Sequence, residues 1–569
     1  MVNVKNLFGM AVMATALVAC SSSDDPTPNG NEGNQTGAAY ASFRINLPTT
    51  SGTRADDPTP GTPSFDEGTA KEYEVKNGTI LIFDNDGKYV TSAQLGTMNP
   101  WTPVKTDGVT TAAIATVKLS NVTVGGSYQA LVLLNNDVDA TTSKVKLPAT
   151  GVSYADWSKE ASNVSVENYT KTDYIFMANA PKYTDATSEP TTLVEVNHIC
   201  ASREEAQAKA ATTVYVERGL AKVTMQDYKT GGYTIADGTT YAGDKVKITD
   251  WKLDVTNKST YPVHQTGGLL TAWDQIWGTG RFFDNTSSSF KRVYWGVDPN
   301  YSGNALQSLT ACQAAFNMIK NSEVKGEAGM EHPQYCLENT FDLANMMQGQ
   351  TTRVVFKAVY TPKALEGTTE KTFYKIGNNT AIWKEADLKQ QIKTVALNAM
   401  KITDAVEQAK YVVKLDATEN NISGAAGQHL IKAENITYTG EAADNKVDPT
   451  VVNTINEKLG LKEEKGKITS GIATYLHGEA YYIARVKHFN ELTPWTAGTP
   501  YDGDNNAFLG RYGVLRNNWY DLSVESISGL GYPEVPEVKP TVPDDENEQY
   551  INVEVKILSW AKRSQSIVL

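Results

Sequence analysis

The amino-acid sequence predicts a mainly β fold: two β-sandwich-like domains with short helical insertions, followed by an extended C-terminal strand. Short apolar runs recur along the chain and are separated by polar segments rich in Gly, Pro, Asn and Thr, which is the pattern of strands and turns. Some runs alternate apolar and polar residues with a period of two, as half-buried strands do. Strands interrupted by helical insertions indicate decorated β-sandwiches.

The last alternating run lies near the C-terminus. Its apolar face consists of Ile551, Val553, Val555 and Ile557. A proline-spaced, polar spacer over 532–545 precedes it, and such a spacer tends to polyproline II, which would hold the strand about 40 Å from the preceding fold. An apolar strand on a stiff arm needs a pairing partner. The alternative is an ordinary last strand that folds back onto its own domain.

A second strand of period two occurs near the N-terminus. Its apolar face consists of Ala41, Phe43, Ile45 and Leu47. A polar loop rich in Pro and Gly follows, with Arg54 as its basic residue. Exposed loops of this kind are preferred sites of proteolytic nicking, so an Arg-specific protease would cut between Arg54 and Ala55. The alternative is a surface arginine in a linker.

The N-terminal segment has the order of a secretory signal peptide: a lysine-bearing start, a short apolar run, and small residues before Cys20. The apolar run is too short to span a membrane. Residues 17–20 resemble a lipobox, a pattern that implies cleavage before Cys20 and acylation of its thiol. We therefore predict a lipoprotein signal peptide over 1–19, followed by a polar tether over 21–39.

Composition excludes several classes of function. The 569 residues carry a net charge of −13, and an acidic balance argues against nucleic-acid binding, which needs a basic surface. The six histidines show no metal-ligand spacing, and no nucleotide-binding loop or nucleophile elbow occurs. We predict no enzyme, no cofactor and no metal site. Cys312 and Cys336 could pair in an oxidising compartment, or stay as buried thiols.

The body of the chain divides into two predicted β-sandwich domains, over 55–226 and 227–531. In the first, a hairpin is predicted around the turn at 84–87, and a closing strand with a kink at Gly219. In the second, the alternation slips between Ile248 and Trp251, which indicates a β-bulge. Apolar residues at helical spacing predict helical insertions over 305–319, 383–400 and 451–459.

The two terminal strands together suggest strand exchange between chains. If the first strand is cut away, its sheet keeps an unpaired groove, which the last strand of a neighbour could fill. Such head-to-tail pairing is heterologous and can give an open filament. Burying four aliphatic side chains at about 1.5–3 kcal/mol each would stabilise the joint by roughly 6–12 kcal/mol before entropy.

Several motifs resemble those of the major fimbrial subunits (fimbrillins) of the Bacteroidales, the type V pilus family, and most closely its short-fimbria major subunit. The motifs are at 17–20, 53–55, 216–223, 335–340 with 348–352, 485–489 and 511–520. The resemblance implies transthyretin-like β-sandwich domains and a non-enzymatic, structural function in cell adhesion. The insertions around 305–330 and 400–465 are hard to place against the family pattern.

The resemblance also implies a route of assembly. The precursor would reach the outer membrane as a lipoprotein acylated on Cys20, and an Arg-specific protease would cut after Arg54 to remove a propeptide over 20–54. A donor strand from Ile551 to Trp560, within the C-terminal segment 532–569, would then fill the groove of an identical subunit. Accessory anchor and tip subunits would be further partners, and no receptor is indicated.

Two alternatives to a shaft subunit stay open. A lipid-anchored surface glycan-binding protein would keep its acylated N-terminus. A tip subunit would need no donor strand for a next subunit, whereas an anchor would keep its lipid. The cut site at Arg54 and the donor strand at 551–560, present together, favour the shaft.

Overall fold

The computed structural model describes residues 38–48, 68–96, 102–106, 109–136, 144–164, 166–170, 174–182, 188–268, 293–301, 306–418, 420–441, 447–488, 509–544 and 551–559. Strands dominate these ranges and form several sheets, which confirms the predicted mainly β class. No helix in these ranges has both the length and the apolar character required to cross a membrane.

The first unit consists of ten strands and four short helices within the described ranges. The strands are β1 (Ala39–Pro48), β2 (Gly78–Phe83), β3 (Tyr89–Gln94), β4 (Thr102–Thr106), β5 (Val109–Leu119), β6 (Gln129–Leu134), β7 (Ser162–Asn163), β8 (Met177–Asn179), β9 (Val194–Glu195) and β10 (Thr212–Arg218). The helices are α1 (Ala70–Tyr73), α2 (Tyr154–Trp157), α3 (Val166–Thr170) and α4 (Arg203–Ala208).

One sheet holds most of the first unit, in the order β3-β2-β6-β8-β10-β1-β5-β4, with β9 paired to β6. The predicted hairpin is present as β2 and β3, joined by the turn at 84–87. The inward residues of β1, β2, β5, β6 and β10 share one apolar core. A second apolar cluster on the other side of the sheet includes Trp157 and Phe176.

The second unit begins at β11 (Ala221–Met225). Its longer strands are β13 (Lys245–Asp254), β17 (Gly329–Cys336), β18 (Arg353–Thr361), β28 (Glu479–Arg485), β29 (Asn518–Ile527) and β30 (Ile551–Ser559). Its shorter strands are β12 (Tyr233–Thr234), β14 (Thr256–Asn257), β15 (Ser259–Thr260), β16 (Phe316–Asn317), β19 (Phe373–Ile376), β20 (Tyr411–Val413), β21 (Asp416–Ala417), β22 (Asn420–Asn421), β23 (Gly427–His429), β24 (Ile436–Tyr438), β25 (Lys462–Glu464), β26 (Lys467–Ser470) and β27 (Ile472–Tyr475).

Among its described residues, the second unit has the helices α5 (Leu309–Ala315), α6 (Glu385–Ala399), α7 (Ala405–Ala409) and α8 (Pro449–Lys458). Single turns of 3-10 helix occur at Pro299–Tyr301, Asn321–Glu323, Leu343–Asn345, Lys363–Leu365, Ala433–Asn435 and Leu476–Gly478. The helix predicted over 305–319 is shorter than expected, because Phe316–Asn317 leaves the helix and pairs with β14 instead.

Two four-stranded sheets enclose the core of the second unit, with the orders β17-β11-β29-β30 and β12-β13-β18-β28. Their inward residues form one apolar cluster that includes Val223, Phe356 and Leu522, which is the packing of a β-sandwich. The β-bulge predicted in β13 is present, as a register shift between Ile248 and Asp250. Residues between β18 and β28 form an insertion with its own apolar core, built around α6 and α8.

The chain passes from the first sheet to the second at Gly219 and Leu220, between β10 and β11. The sequence predicted one kinked strand here, whereas the structure has two strands that belong to different sheets. A side chain at Gly219 would meet Phe176 at 2.9 Å and Tyr169 at 3.1 Å, so a glycine is needed for this close approach. The predicted domain limits of 55–226 and 227–531 stay a prediction.

Candidate strand-exchange site

The strand β1 lies inside the sheet of the first unit, between β5 and β10. It pairs with β5 in the antiparallel sense from Ala39 to Pro48, and with β10 in the parallel sense from Phe43 to Asn46. Both of its edges therefore carry backbone hydrogen bonds. A strand in this position cannot be removed without leaving a groove that is open along two neighbouring strands.

The apolar face of β1 is fully buried. The side chains of Ala41, Phe43, Ile45 and Leu47 are each 0% exposed and belong to the core of the first unit. Their neighbours in this core include Val117 of β5 and Val214 of β10. The predicted residues thus share one face, as their period of two requires, and together they fill the centre of the first unit.

The opposite face of β1 is covered by α4. The Oγ atom of Ser42 donates to the carbonyl oxygen of Ala206 at 2.8 Å and lies 2.8 Å from the Oγ1 atom of Thr116. The guanidinium of Arg203 donates to the carbonyl oxygen of Thr116 at 3.0 Å. Ser202 caps the N-terminus of α4, and its side chain accepts from the N–H of Glu205. Only Arg44 on this strand points to solvent within 39–47.

One cysteine lies next to this strand. Cys200 forms a two-way backbone bridge with Tyr40, at N–O distances of 2.8 and 2.9 Å, and its side chain is 3% exposed. Cys312 and Cys336 are also buried and carry free thiols, so they do not pair. Burial raises the pKa of Cys312 to about 11 and that of Cys336 to about 12, which keeps both thiols protonated and unreactive.

Several predicted site residues lie outside the described residues: Cys20, Arg54, Ala55 and Trp560. The lipidation site and the cleavage site therefore stay predictions. The described chain leaves β1 at Pro48 and resumes at Gly68, so Arg54 belongs to the segment that directly follows β1.

The last strand pairs with its own chain. β30 lies antiparallel to β29 at the edge of its sheet, with Val553 opposite Val524, Val555 opposite Leu522 and Ile557 opposite Tyr520. This is the folded-back arrangement that the sequence left open as the alternative.

The expectation of a stiff arm that holds β30 away from the fold is wrong. Residues 532–544, here named the strap, lie along the second unit. Tyr532 and Tyr481 exchange two backbone hydrogen bonds of 2.7 Å, Val538 is 4% exposed, and Asp544 is fully buried. Proline spacing suggested a free arm, but it is also compatible with a bound one. Because proline lacks an N–H group, a proline-spaced segment can bind along a protein surface with few backbone donors left unsatisfied.

The sequence reasoning also missed the polar groups that hold the strap. Three of them are side chains within 348–353, a segment that includes the motif at 348–352. The motif at 348–352 marked this segment as notable, but nothing in the sequence predicts that it contacts the strap. Arg353 illustrates this point, because it joins Asp254 and the carbonyl oxygen of Pro536.

No group of three or more His, Cys, Asp or Glu side chains within the described ranges could hold a metal ion. His264 is fully buried, with its two ring nitrogens 2.7 Å from Glu217 Oε1 and 3.1 Å from the carbonyl oxygen of Trp295. His488 lies 2.6 Å from the hydroxyl of Tyr520. Both are core histidines with satisfied hydrogen bonds, as was expected for most histidines of this chain.

The C-terminal region matches a known family. Residues 473–566 match the family model described as "Major fimbrial subunit protein type IV, Fimbrillin, C-terminal". This range contains β28, β29 and β30. The description of this model is that of a fimbrial subunit, which indicates a non-enzymatic, structural protein.

The structural comparison matches solved proteins at low sequence identity and with TM-scores below 0.5. A candidate cell adhesion protein from Parabacteroides distasonis is 10% identical, with 92% of this chain and 99% of that chain covered and a TM-score of 0.38. The tip fimbrial protein Mfa3 from Porphyromonas gingivalis is 10% identical, with 92% and 100% covered and a TM-score of 0.30. A fimbrial assembly protein from Parabacteroides distasonis is 14% identical, with 61% and 93% covered and a TM-score of 0.24. No curated protein sequence matches this chain.

Proposed function

We propose that this chain is a shaft subunit of the fimbrillin family that assembles by strand exchange, and the match of residues 473–566 to the fimbrillin C-terminal model supports the family part of this proposal. The coarser role, a non-enzymatic subunit of a cell-surface fimbrium that associates with other fimbrial components, follows from the family. The finer role is that a neighbour's β30 replaces β1 after proteolysis.

The burial of β1 carries this proposal. The four predicted apolar side chains of β1, together with that of Ala39, are 0% exposed in the centre of the first unit, and the segment that contains Arg54 follows directly in the sequence. Cleavage after Arg54 would sever β1 from the rest of the chain but leave it held by contacts alone. Loss of the strand would then expose the apolar core between β5 and β10, and a new strand there would regain that burial.

The position of β30 at the edge of its sheet also supports the proposed exchange. In its own chain β30 pairs with β29 along one edge. In the groove of a neighbour it would have β5 and β10 as partners on both edges. Each additional backbone hydrogen bond contributes about 0.5–1.5 kcal/mol net, so pairing on two edges instead of one favours the exchanged position.

The remaining steps are proposed with the same scheme. The precursor is exported as a lipoprotein acylated on Cys20, is exposed on the outer membrane, and is cut between Arg54 and Ala55 by an Arg-specific protease. Identical subunits then join head to tail, with accessory anchor and tip subunits at the two ends. A heterologous joint of this kind repeats without closing.

The test is to treat purified precursor with an Arg-specific protease and to look for a ladder of SDS-resistant oligomers at low temperature. We expect a ladder from the natural sequence and from Glu554→Gln, which changes the polar face of β30. We expect none from Arg54→Ala, which removes the cut, or from Val555→Asp, which puts a charge on the apolar face. A cut chain that retains residues 549–569 and stays monomeric would overturn the proposal.

N-terminal analysis of the mature surface protein separates this function from the alternatives. A mature chain that begins at Ala55 supports the shaft subunit. A mature chain that begins at acylated Cys20 supports a lipid-anchored glycan-binding protein or an anchor subunit instead.

A further inference from the structure

The strap, residues 532–544, is fastened to the second unit along its length. At its start Tyr532 pairs with Tyr481, and the N–H of Val535 donates to the side chain of Asn321 at 2.7 Å. In its middle the side chain of Val538 enters the apolar cluster that contains Trp295 and Cys312. The strap is thus held both by backbone hydrogen bonds and by apolar burial. It is therefore part of the fold of the second unit.

A buried cation holds the middle of the strap. The guanidinium of Arg353 donates to the carbonyl oxygen of Pro536 at 2.6 Å and to Asp254 Oδ2 at 2.8 Å. The side chains of Arg353 and Asp254 are each 2% exposed. Removing the strap would take one acceptor from a buried guanidinium, and unsatisfied buried donors are costly.

The end of the strap is held most tightly. Asp544 is 0% exposed, its N–H donates to the carbonyl oxygen of Met346 at 3.0 Å, and its Oδ2 accepts from Thr351 Oγ1 at 2.8 Å. The N–H of Gln348 donates to the carbonyl oxygen of Val542 at 2.9 Å. These two backbone bonds flank the bridge between Met347 and Pro543, which makes that bridge a non-hydrogen-bonded antiparallel pair.

We infer that Asp544 is the fixed base of the exchangeable arm, so that only the residues after Asp544 leave the subunit during assembly. This inference rests on the proposed strand exchange and adds which part of the C-terminal segment moves. The competing possibility is that the whole segment from 532 swings out. The burial of Asp544 and the backbone bridge between Met347 and Pro543 argue against this possibility. Release of the whole segment would break every contact of the strap described above.

The fixed base restricts where a neighbouring copy can dock. Residues 545–550 separate Asp544 from β30, so the seven Cα–Cα steps from Asp544 to Ile551 span at most about 25 Å when extended. The open end of the neighbour's β1 groove must therefore lie within about 25 Å of Asp544. The surface of the second unit around 342–347 and the exposed residues Thr541 and Val542 then face the first unit of the next copy.

A disulfide between positions 347 and 543 tests the fixed base in the full chain. Non-hydrogen-bonded antiparallel pairs have Cα atoms about 4.5 Å apart, within the range a disulfide bridges. The variant Met347→Cys/Pro543→Cys is oxidised, cut with the Arg-specific protease, and compared with the same sample in reductant. Single variants Met347→Cys and Pro543→Cys serve as controls. We expect the oxidised and reduced double variants to form polymer in equal yield.

The outcomes separate this inference from the proposed function. Polymer from the reduced sample but not from the oxidised one would overturn the fixed base and leave strand exchange standing. Absence of polymer from the natural sequence would remove both. If the double variant fails in both redox states, deletion of 545–550 decides. A fixed base predicts at least a ten-fold loss of polymer, because β30 would then begin directly at buried Asp544 and could not reach a neighbour, whereas near-normal yield would contradict it.

Discussion

The Nζ atom of Lys222 lies 2.7 Å from the Oε1 atom of Glu72, and both side chains are 2% exposed. Lys222 belongs to β11 of the second unit and Glu72 to α1 of the first. The same carboxylate accepts from the hydroxyl of Tyr335 at 2.6 Å, and the ammonium lies 3.6 Å from the ring centroid of Trp519. This pair therefore ties α1, which follows the segment that contains Arg54, to the second unit.

Breaking this ion pair from one side should destabilise the protein. In Glu72→Gln the ammonium of Lys222 stays buried without its countercharge, and we expect a loss of about 3–5 kcal/mol in the free energy of unfolding. Urea denaturation followed by tryptophan fluorescence measures the loss. The double variant Glu72→Gln/Lys222→Met is the matched control and should recover part of it. An unchanged midpoint in the single variant would contradict this account.

The same pair should make stability fall in acid. Burial by itself would raise the pKa of Glu72, but Lys222, Tyr335 and the N–H of Thr69 together hold that pKa below its ordinary value. Because the folded pKa is lower than the unfolded one, the carboxylate stabilises the fold above the unfolded pKa of about 4.3. That contribution is lost as pH falls through the folded pKa. The stability difference between the natural sequence and Glu72→Gln should therefore shrink below about pH 4, as measured by urea denaturation across pH.

The thiol of Cys200 should report the opening of the β1 groove. It is 3% exposed beside β1 and should resist alkylation in the precursor. After cleavage and removal of β1 we expect its alkylation rate to rise by at least about ten-fold, because thiol reactivity follows access. A synthetic peptide of residues 551–559 should restore protection. Mass spectrometry follows the reaction, with buried Cys336 as internal control. If Cys200 still resists alkylation after β1 is removed, the groove has closed and this prediction is wrong.

Truncation of the largest inward side chain of β1 should weaken the precursor alone. Phe43 is 0% exposed, so Phe43→Ala should cost about 3–5 kcal/mol through lost burial and a cavity. If assembly proceeds by the proposed exchange, β1 is absent from the polymer, so the thermal stability of the polymer should be unchanged. Arg44→Ala, on the exposed side of the same strand, is the control and should change neither form by more than about 0.5 kcal/mol. An equal effect on precursor and polymer would mean that β1 is retained.

Much of the local structure of the site could be predicted from residue patterns. The period of two at 41–47 predicted a strand with one apolar face, and that face is buried in β1. The slip in alternation near Ile248 predicted the bulge in β13. These features depend on neighbouring residues along one strand, because side chains alternate across the sheet regardless of what covers it.

Contacts between residues that are distant in the sequence could not be predicted from residue patterns. The strap was expected to be a free arm, since proline spacing describes the stiffness of a segment and says nothing about what it touches. Thr351 and Asp544 are separated by 193 positions, and their hydrogen bond depends on how β18 and β29 bring distant loops together. The ion pair of Glu72 with Lys222 is likewise a contact between two units.

The sequence by itself determined which residues form the terminal strands, which of their faces are apolar, and the family resemblance that its motifs support. The tertiary structure alone decided that β1 is a central strand with two partners and that β30 pairs with its own chain. It also decided that the strap is bound to the second unit up to Asp544. The physical reason is that periodicity is a property of one segment, whereas partners, burial and reach depend on the free energy of bringing distant segments together.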